Sequence, residues 1–120
     1  MLFSVTWRMF DNTKLDCYRA FMAMSPEDDV ADTGKGVSIV GRWHTVGSGS
    51  GICIAETDSA AALTSWVVNW AGLCDITISP VTDDVTTRAV LNSKLAVPTA
   101  VDATPDATSD ATPTEASTSA

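Results

Sequence analysis

The 120-residue chain lacks the features that mark several classes of protein. It has one histidine, which excludes a histidine-rich metal site within one subunit. Its three cysteines are widely spaced, odd in number and without a CxxC pair, so neither a disulfide framework nor a zinc site is expected. No apolar run reaches the roughly 18 residues that a membrane span needs, and no basic segment leads into a signal peptide. We therefore expect a cytoplasmic protein without a membrane partner.

Positive charge is also scarce, because 7 basic residues stand against 15 acidic ones and give a formal net charge of −8. Such a chain has no electrostatic footprint for phosphate backbones, so we expect no nucleic-acid partner. Residues 97–120 carry only acidic charges, and their other residues are Ala, Thr, Pro, Ser and two Val. That composition cannot bury enough surface to offset chain entropy. It predicts a disordered acidic tail after one domain at residues 1–96.

Alternating and helical spacings in residues 1–96 predict four strands and two main helices. The strands are expected at residues 1–8, 36–46, 51–57 and 75–81. The helices are expected from about Thr13 to Met24 and from Asp58 or Ser59 to Gly72, with a short third helix at 83–93. We interpret residues 25–35 as a solvated acidic loop and the glycine-rich residues 47–51 as a hairpin turn. That turn is not a phosphate loop, because no Lys-Ser/Thr follows it, and we expect no cofactor.

The order strand, helix, strand, strand, helix, strand predicts an α+β fold of the ferredoxin-like βαββαβ type. Its four-stranded antiparallel sheet would carry both helices on one face. The expected apolar face consists of Phe3, Val5, Val37, Ile39, Ile52, Ile54, Ile76 and Ile78. It would meet the helix residues Leu15, Tyr18, Met22, Leu63, Trp66, Val67 and Trp70. Strict alternation along residues 36–46 would put Trp43 on this face and Arg42 and His44 on the opposite one. Leu2, Val40 and Val46 would leave that opposite face half apolar, which favours a homodimer.

Several short motifs carry a resemblance to a known family. They are the opening MLFSVTW, GRWH at 41–44, ETD at 56–58, and the second helix with its two tryptophans. In this order the motifs resemble a family of small uncharacterised bacterial proteins, a domain of unknown function placed among the dimeric α/β-barrel proteins. The resemblance implies a ferredoxin-like fold and a homodimer but no activity. The wider superfamily includes cofactor-independent monooxygenases and small-molecule isomerases, which are the reactions we would expect if the chain is an enzyme.

Three polar residues are candidates for catalysis. His44 is the only side chain that exchanges protons near neutral pH without a large pKa shift, and Arg42 lies two residues away on the same strand. Together they could bind and protonate an anionic oxygen; the competing interpretation is a hydrogen-bond network at the dimer contact. Glu56, if buried among tryptophans, could act as a base. Its competing interpretation is a solvated residue at the strand end.

Aromatic side chains are the candidates for ligand binding. Four tryptophans are many for so short a chain. The candidates are Trp7, Tyr18, Trp43, Trp66 and Trp70. An aromatic-walled pocket would suit a small aromatic or apolar organic molecule, whereas close-packed tryptophans would simply form the core. In the second case the chain would be a non-catalytic interaction or scaffold module with a flexible acidic tail. An open cavity of a few hundred Å³ would favour the first alternative.

Overall fold

A computed structural model describes residues 1–96; the predicted tail at 97–120 lies outside the described residues. Met1–Thr82 form one compact unit and a second unit begins at Asp83. The strands are β1 (Leu2–Met9), β2 (Ser38–Thr45), β3 (Ser50–Glu56) and β4 (Cys74–Val81), and the helices are α1 (Lys14–Met22), α2 (Pro26–Thr33), α3 (Ala60–Val68) and α4 (Asp84–Leu95). Within residues 1–96 no helix combines the length and apolar character required to cross a bilayer.

The sheet has the order β2-β3-β1-β4, and each neighbouring pair is antiparallel. This order, with the helices in the connections, is the ferredoxin-like α+β arrangement that the sequence predicts. Helices α1, α2 and α3 cover one face of the sheet, which we call the inner face; the opposite one is the outer face. The core between the inner face and the helices includes Val5, Leu63 and Trp66, and a second buried cluster joins Met9, Cys17 and Cys74.

A β-bulge in β2 determines which of its side chains reach the inner face. Ile39 pairs with Ala55 and Gly41 pairs with Ile54, so Val40 is an extra residue without a partner. Because one inserted residue reverses the alternation of side chains, Arg42 and His44 follow Ile39 onto the inner face. The predicted alternation, with Trp43 inward and Arg42 and His44 outward, was therefore wrong beyond the bulge.

The predicted faces of β3 were also reversed. Cys53 and Ala55 are both 0% exposed and pair with inner-face residues of β1, whereas Ile52 is 41% exposed on the outer face. The larger apolar side chains thus point away from the helices. The physical reason is volume, because the aromatic rings packed under the sheet leave room for only small side chains at the central strand.

Helix α1 also buries a different stripe from the one predicted. Leu15 is 63% exposed and Met22 is 81% exposed, whereas Cys17 is buried and Tyr18 is half-buried. Helix α3 matches its prediction better, since Ser59 accepts the Ala62 N–H at its N-cap (3.0 Å). Its residues Leu63 and Trp66 are buried.

The segment predicted as an acidic loop is the helix α2. The Ser25 hydroxyl accepts the Asp28 N–H and the Asp28 carboxylate accepts the Ser25 N–H, both at 3.0 Å, which is a capping box. Pro26 follows at the first helical position, where its missing N–H costs nothing. The Ser-Pro pair that follows α1 therefore begins a new helix.

Helix α4, in the second unit, starts as the sequence predicts and extends slightly farther. The Asp83 side chain accepts the Thr86 N–H (2.8 Å) and so caps the helix. This hydrogen bond lowers the pKa of the Asp83 carboxyl, because it stabilises the ionised form.

Candidate functional site

A cavity of about 80 Å³ lies between the inner face and the three helices. Most of its lining is aromatic or apolar. The aromatic lining residues are Trp7, Tyr18, Phe21, His44, Trp66 and Trp70. Only Asp32 and Arg42 add charge. A concave apolar site with a few converging polar groups is the usual form of a small-molecule site.

The structure brings together most of the candidate residues but not all of them. Trp7, Tyr18, Trp66 and Trp70 line the cavity together with Arg42 and His44. Trp43 is 60% exposed and pairs with Ile52 on the outer face. Glu56 is exposed and pairs with Leu2 and Ser38, also on the outer face. Both lie away from the cavity, for the reasons of register given above.

Helix α2 contributes the acidic side of the site. Asp29 and Asp32 are three residues apart, so they share one face of the helix. The Asp32 Oδ2 atom accepts the indole N–H groups of both Trp66 (2.9 Å) and Trp70 (2.8 Å). Its Oδ1 atom accepts an N–H of Asn69 (3.0 Å). The Asp32 carboxylate therefore links α2 to α3 and holds both indole rings in place.

Arg42 is held by the other carboxylate of α2. Its Nη1 and Nη2 atoms donate to Asp29 Oδ1 (3.1 Å) and Oδ2 (3.0 Å), a bidentate ion pair. Both side chains are partly buried, and the guanidinium carbon lies 5.0 Å from the Phe21 ring centroid. The charge and the donor fork of Arg42 are thus engaged within the protein, which leaves little of either for an anionic ligand.

His44 lies at the rim of the cavity between two rings. Its centroid is 5.7 Å from that of Trp7 and 4.9 Å from that of Phe21. Partial burial of the imidazole, followed by the nearby Arg42 charge, lowers the pKa of His44 below its usual 6.5. The ring is therefore neutral at pH 7, with one nitrogen a donor and the other an acceptor.

Two cysteines form the floor of the cavity. The Sγ atoms of Cys17 and Cys74 are 3.8 Å apart and in hydrogen-bonding contact. Burial raises the pKa of Cys17, and burial together with the neighbouring thiol raises the pKa of Cys74 to about 12. Both are therefore neutral thiols near neutral pH and behave as small apolar groups.

The sequence candidates for the site did not include Asp29, Asp32, Phe21 or the two cysteines. The usable signal was the Ser-Pro-x-Asp capping pattern at 25–28, which predicts a helix and puts Asp29 and Asp32 on one face of it. Over residues 1–96, no three side chains of histidine, cysteine, aspartate or glutamate converge in a way that could hold a metal ion.

The model of one protein family matches residues 1–95, nearly all of the described chain. This family is described as a domain of unknown function, DUF3303. The chain belongs to the DUF3303 family. The match confirms the predicted membership in an uncharacterised domain family. No protein of curated function and no solved structure matches the chain.

Proposed function

We propose that this DUF3303 chain binds a small aromatic or apolar organic molecule in the cavity beneath its sheet. The observation that supports the proposal is the concentration of six ring-bearing side chains around one space. At about 80 Å³ the space is smaller than the few hundred Å³ expected of an enzyme pocket. It is also smaller than the roughly 150 Å³ of an engineered cavity that holds benzene. A bound ring would therefore have to push the rim side chains outward.

The proposal is tested by titrating the protein with benzyl alcohol while following tryptophan fluorescence. Three of the four tryptophans line the cavity, so a bound ring should change the emission. The variant Val67→Phe puts a large side chain into the cavity wall and should weaken binding at least about tenfold. Val68→Phe is the matched control, because Val68 is the next residue of α3 and is 64% exposed. Equal affinity in both variants would contradict the proposed site.

We also propose that the chain is a homodimer joined through the outer faces of two sheets. Trp43, Val40 and Ile52 are large apolar side chains that are exposed in the single chain, and such patches mark association sites. Light scattering should give twice the monomer mass. Ile52→Glu on the outer face should yield a monomer, whereas Val30→Glu, at an exposed position on α2, should leave the dimer intact. A monomeric wild-type protein at micromolar concentration would refute this assignment.

The alternative function is that of a non-catalytic interaction module. Two observations favour it. The cavity of about 80 Å³ is well below the few hundred Å³ that would favour a ligand pocket, and Asp32 and Asp29 satisfy the donors of Trp66, Trp70 and Arg42, as expected of a packed core. The same titration separates the two functions. A module whose tryptophans serve only as core would show no saturable change in fluorescence with any small aromatic probe.

A further inference from the structure

The charges around the cavity do not balance. Arg42 is neutralised by its bidentate pair with Asp29. His44 is neutral because its pKa is lowered, and the thiols of Cys17 and Cys74 are neutral because theirs are raised. Among the described lining residues this leaves the Asp32 carboxylate, whose hydrogen-bond donors are the neutral groups of Trp66, Trp70 and Asn69. The wall of the cavity therefore carries one negative charge that no cation compensates.

The Asp32 carboxylate also retains room for another donor. A carboxylate offers about four lone-pair positions on its two oxygens. The two indole N–H groups occupy positions on Oδ2, and Asn69 occupies one on Oδ1. One position on Oδ1 remains for an N–H of a ligand. Because a partly buried carboxylate interacts strongly with an adjacent cation, this position would favour an ammonium donor over a neutral one.

The aromatic lining favours the same class of ligand. Aromatic faces attract organic cations through their quadrupole, and tryptophan does so most strongly. Trp66 and Trp70 are held beside Asp32 by their own hydrogen bonds to it. These bonds point the electropositive N–H edges of both rings at Asp32, so a cation at the carboxylate would gain aromatic attraction from ring faces elsewhere in the lining. An anion at the same place would face the carboxylate, with Arg42 already engaged elsewhere.

We propose that the ligand of this cavity is a small organic cation, an aromatic or alkyl ammonium ion, held by the Asp32 carboxylate within the aromatic lining. This inference rests on the proposed function and specifies the charge of the ligand. It differs from the expectation drawn from Arg42 and His44 in the sequence, which favoured an anionic oxygen.

Three probes of similar size and different charge test the inference. They are benzylammonium, benzyl alcohol and benzoate, each titrated at pH 7 with tryptophan fluorescence as the signal. Benzylammonium should bind about tenfold more tightly than benzyl alcohol, and benzoate should bind most weakly. This ranking is measured on the wild-type protein and needs no variant. Equal affinities for all three would overturn the cation assignment and leave the proposed function standing, whereas no binding of any probe would overturn both.

Two variants with the same charge change then locate the effect. Asp32→Asn should weaken benzylammonium about tenfold and leave benzyl alcohol nearly unchanged. Asp11→Asn is the control, since Asp11 is exposed and is not part of the cavity lining. If Asp32→Asn unfolds the protein, raising the salt concentration in the wild type should weaken benzylammonium selectively. A preference for the cation that is insensitive to salt and survives Asp32→Asn would remove Asp32 from the site.

Discussion

The two faces of the sheet use their side chains in opposite ways. On the inner face β3 presents Cys53 and Ala55, which are small and fully buried, and large rings from β1 and α3 fill the space around them. On the outer face the same strand presents Ile52 beside Trp43, which is 60% exposed. The most hydrophobic side chains of β3 are thus not the buried ones. Burial here follows the shape of the available space more than the apolarity of the residue.

Tryptophan-to-alanine substitutions on the two faces should give the largest contrast. Trp66 is 7% exposed and donates to Asp32, so Trp66→Ala should destabilise the protein by about 3–5 kcal/mol. Trp43→Ala, on the outer face, should cost less than about 1 kcal/mol in the monomer. Urea denaturation of both variants at low protein concentration measures the difference. Similar losses of unfolding free energy in Trp66→Ala and Trp43→Ala would mean that the two faces of the sheet do not differ in packing.

Two glycines beside tryptophan rings offer a second contrast. A Cβ on Gly51 would overlap the Trp7 ring and lie 2.7 Å from the Trp43 carbonyl oxygen, which belongs to the backbone and cannot move aside. The atoms nearest to a Cβ on Gly41 belong to the ring of Trp43, which is 60% exposed in the single chain and can rotate away. Gly51→Ala should therefore cost about 1–3 kcal/mol and weaken ligand binding through displacement of Trp7.

Gly41→Ala is the matched variant for that experiment. Its cost in the monomer, measured at low protein concentration, should stay within about 0.5 kcal/mol, the range of ordinary surface changes, and its ligand affinity should equal that of the wild type. Thermal denaturation and a benzylammonium titration on both alanine variants supply the measurements. A larger loss of stability in Gly41→Ala than in Gly51→Ala would contradict the assignment of Gly51 to the packed face and Gly41 to the exposed one.

The buried thiols predict how the inner face responds to alkaline pH. The pKa of Cys74 is about 12 in the folded chain, against 9.0 as its ordinary value. Between these values the unfolded chain has lost a proton that the folded chain keeps, so stability falls as pH rises above about 9. The slope from this one thiol is at most about 1.4 kcal/mol per pH unit. Unfolding free energies at pH 8, 9 and 10 should fall less steeply in Cys74→Ala than in the wild type.

The smallest effect is expected from removing residues 98–120. Their composition holds four carboxylates, no cation and no aromatic side chain, so we predict no contribution to the core. A chain ending at residue 97 should keep the melting temperature, the oligomeric state and the probe affinities of the full-length protein. A shift in the melting temperature of several degrees would show that these residues contribute to the stability of the fold.

The sequence was sufficient to predict the order of strands and the α+β architecture. Side chains of unlike polarity alternate along β1, and the apolar residues of α3 recur at helical spacing. The buried face of each of these two elements could therefore be assigned from pattern alone. The fold follows from this order together with the strong preference for right-handed crossovers.

The site was predicted only in part, because two local features have weak sequence signals. The bulge residue Val40 is apolar like its neighbours, so the pattern gave no reason to interrupt the alternation at that residue. Strand β3 has four consecutive apolar residues at 52–55, and an uninterrupted apolar run does not indicate which face of the strand is buried. The role of Asp32 depended on finding α2, whose capping box lies in the segment that was interpreted as a solvated acidic loop.

The bulge at Val40 has a consequence for how this strand can change in length. Val40 itself is 63% exposed and has no partner on β3, so many side chains should be acceptable at this position. Deleting Val40 would also be compatible with the site, because Ile39 would stay opposite Ala55 and Gly41 opposite Ile54 in a regular ladder, with Arg42 and His44 still on the inner face. Related chains should therefore vary freely in the residue found here, and some should lack it and carry a regular β2 with the same inner-face residues.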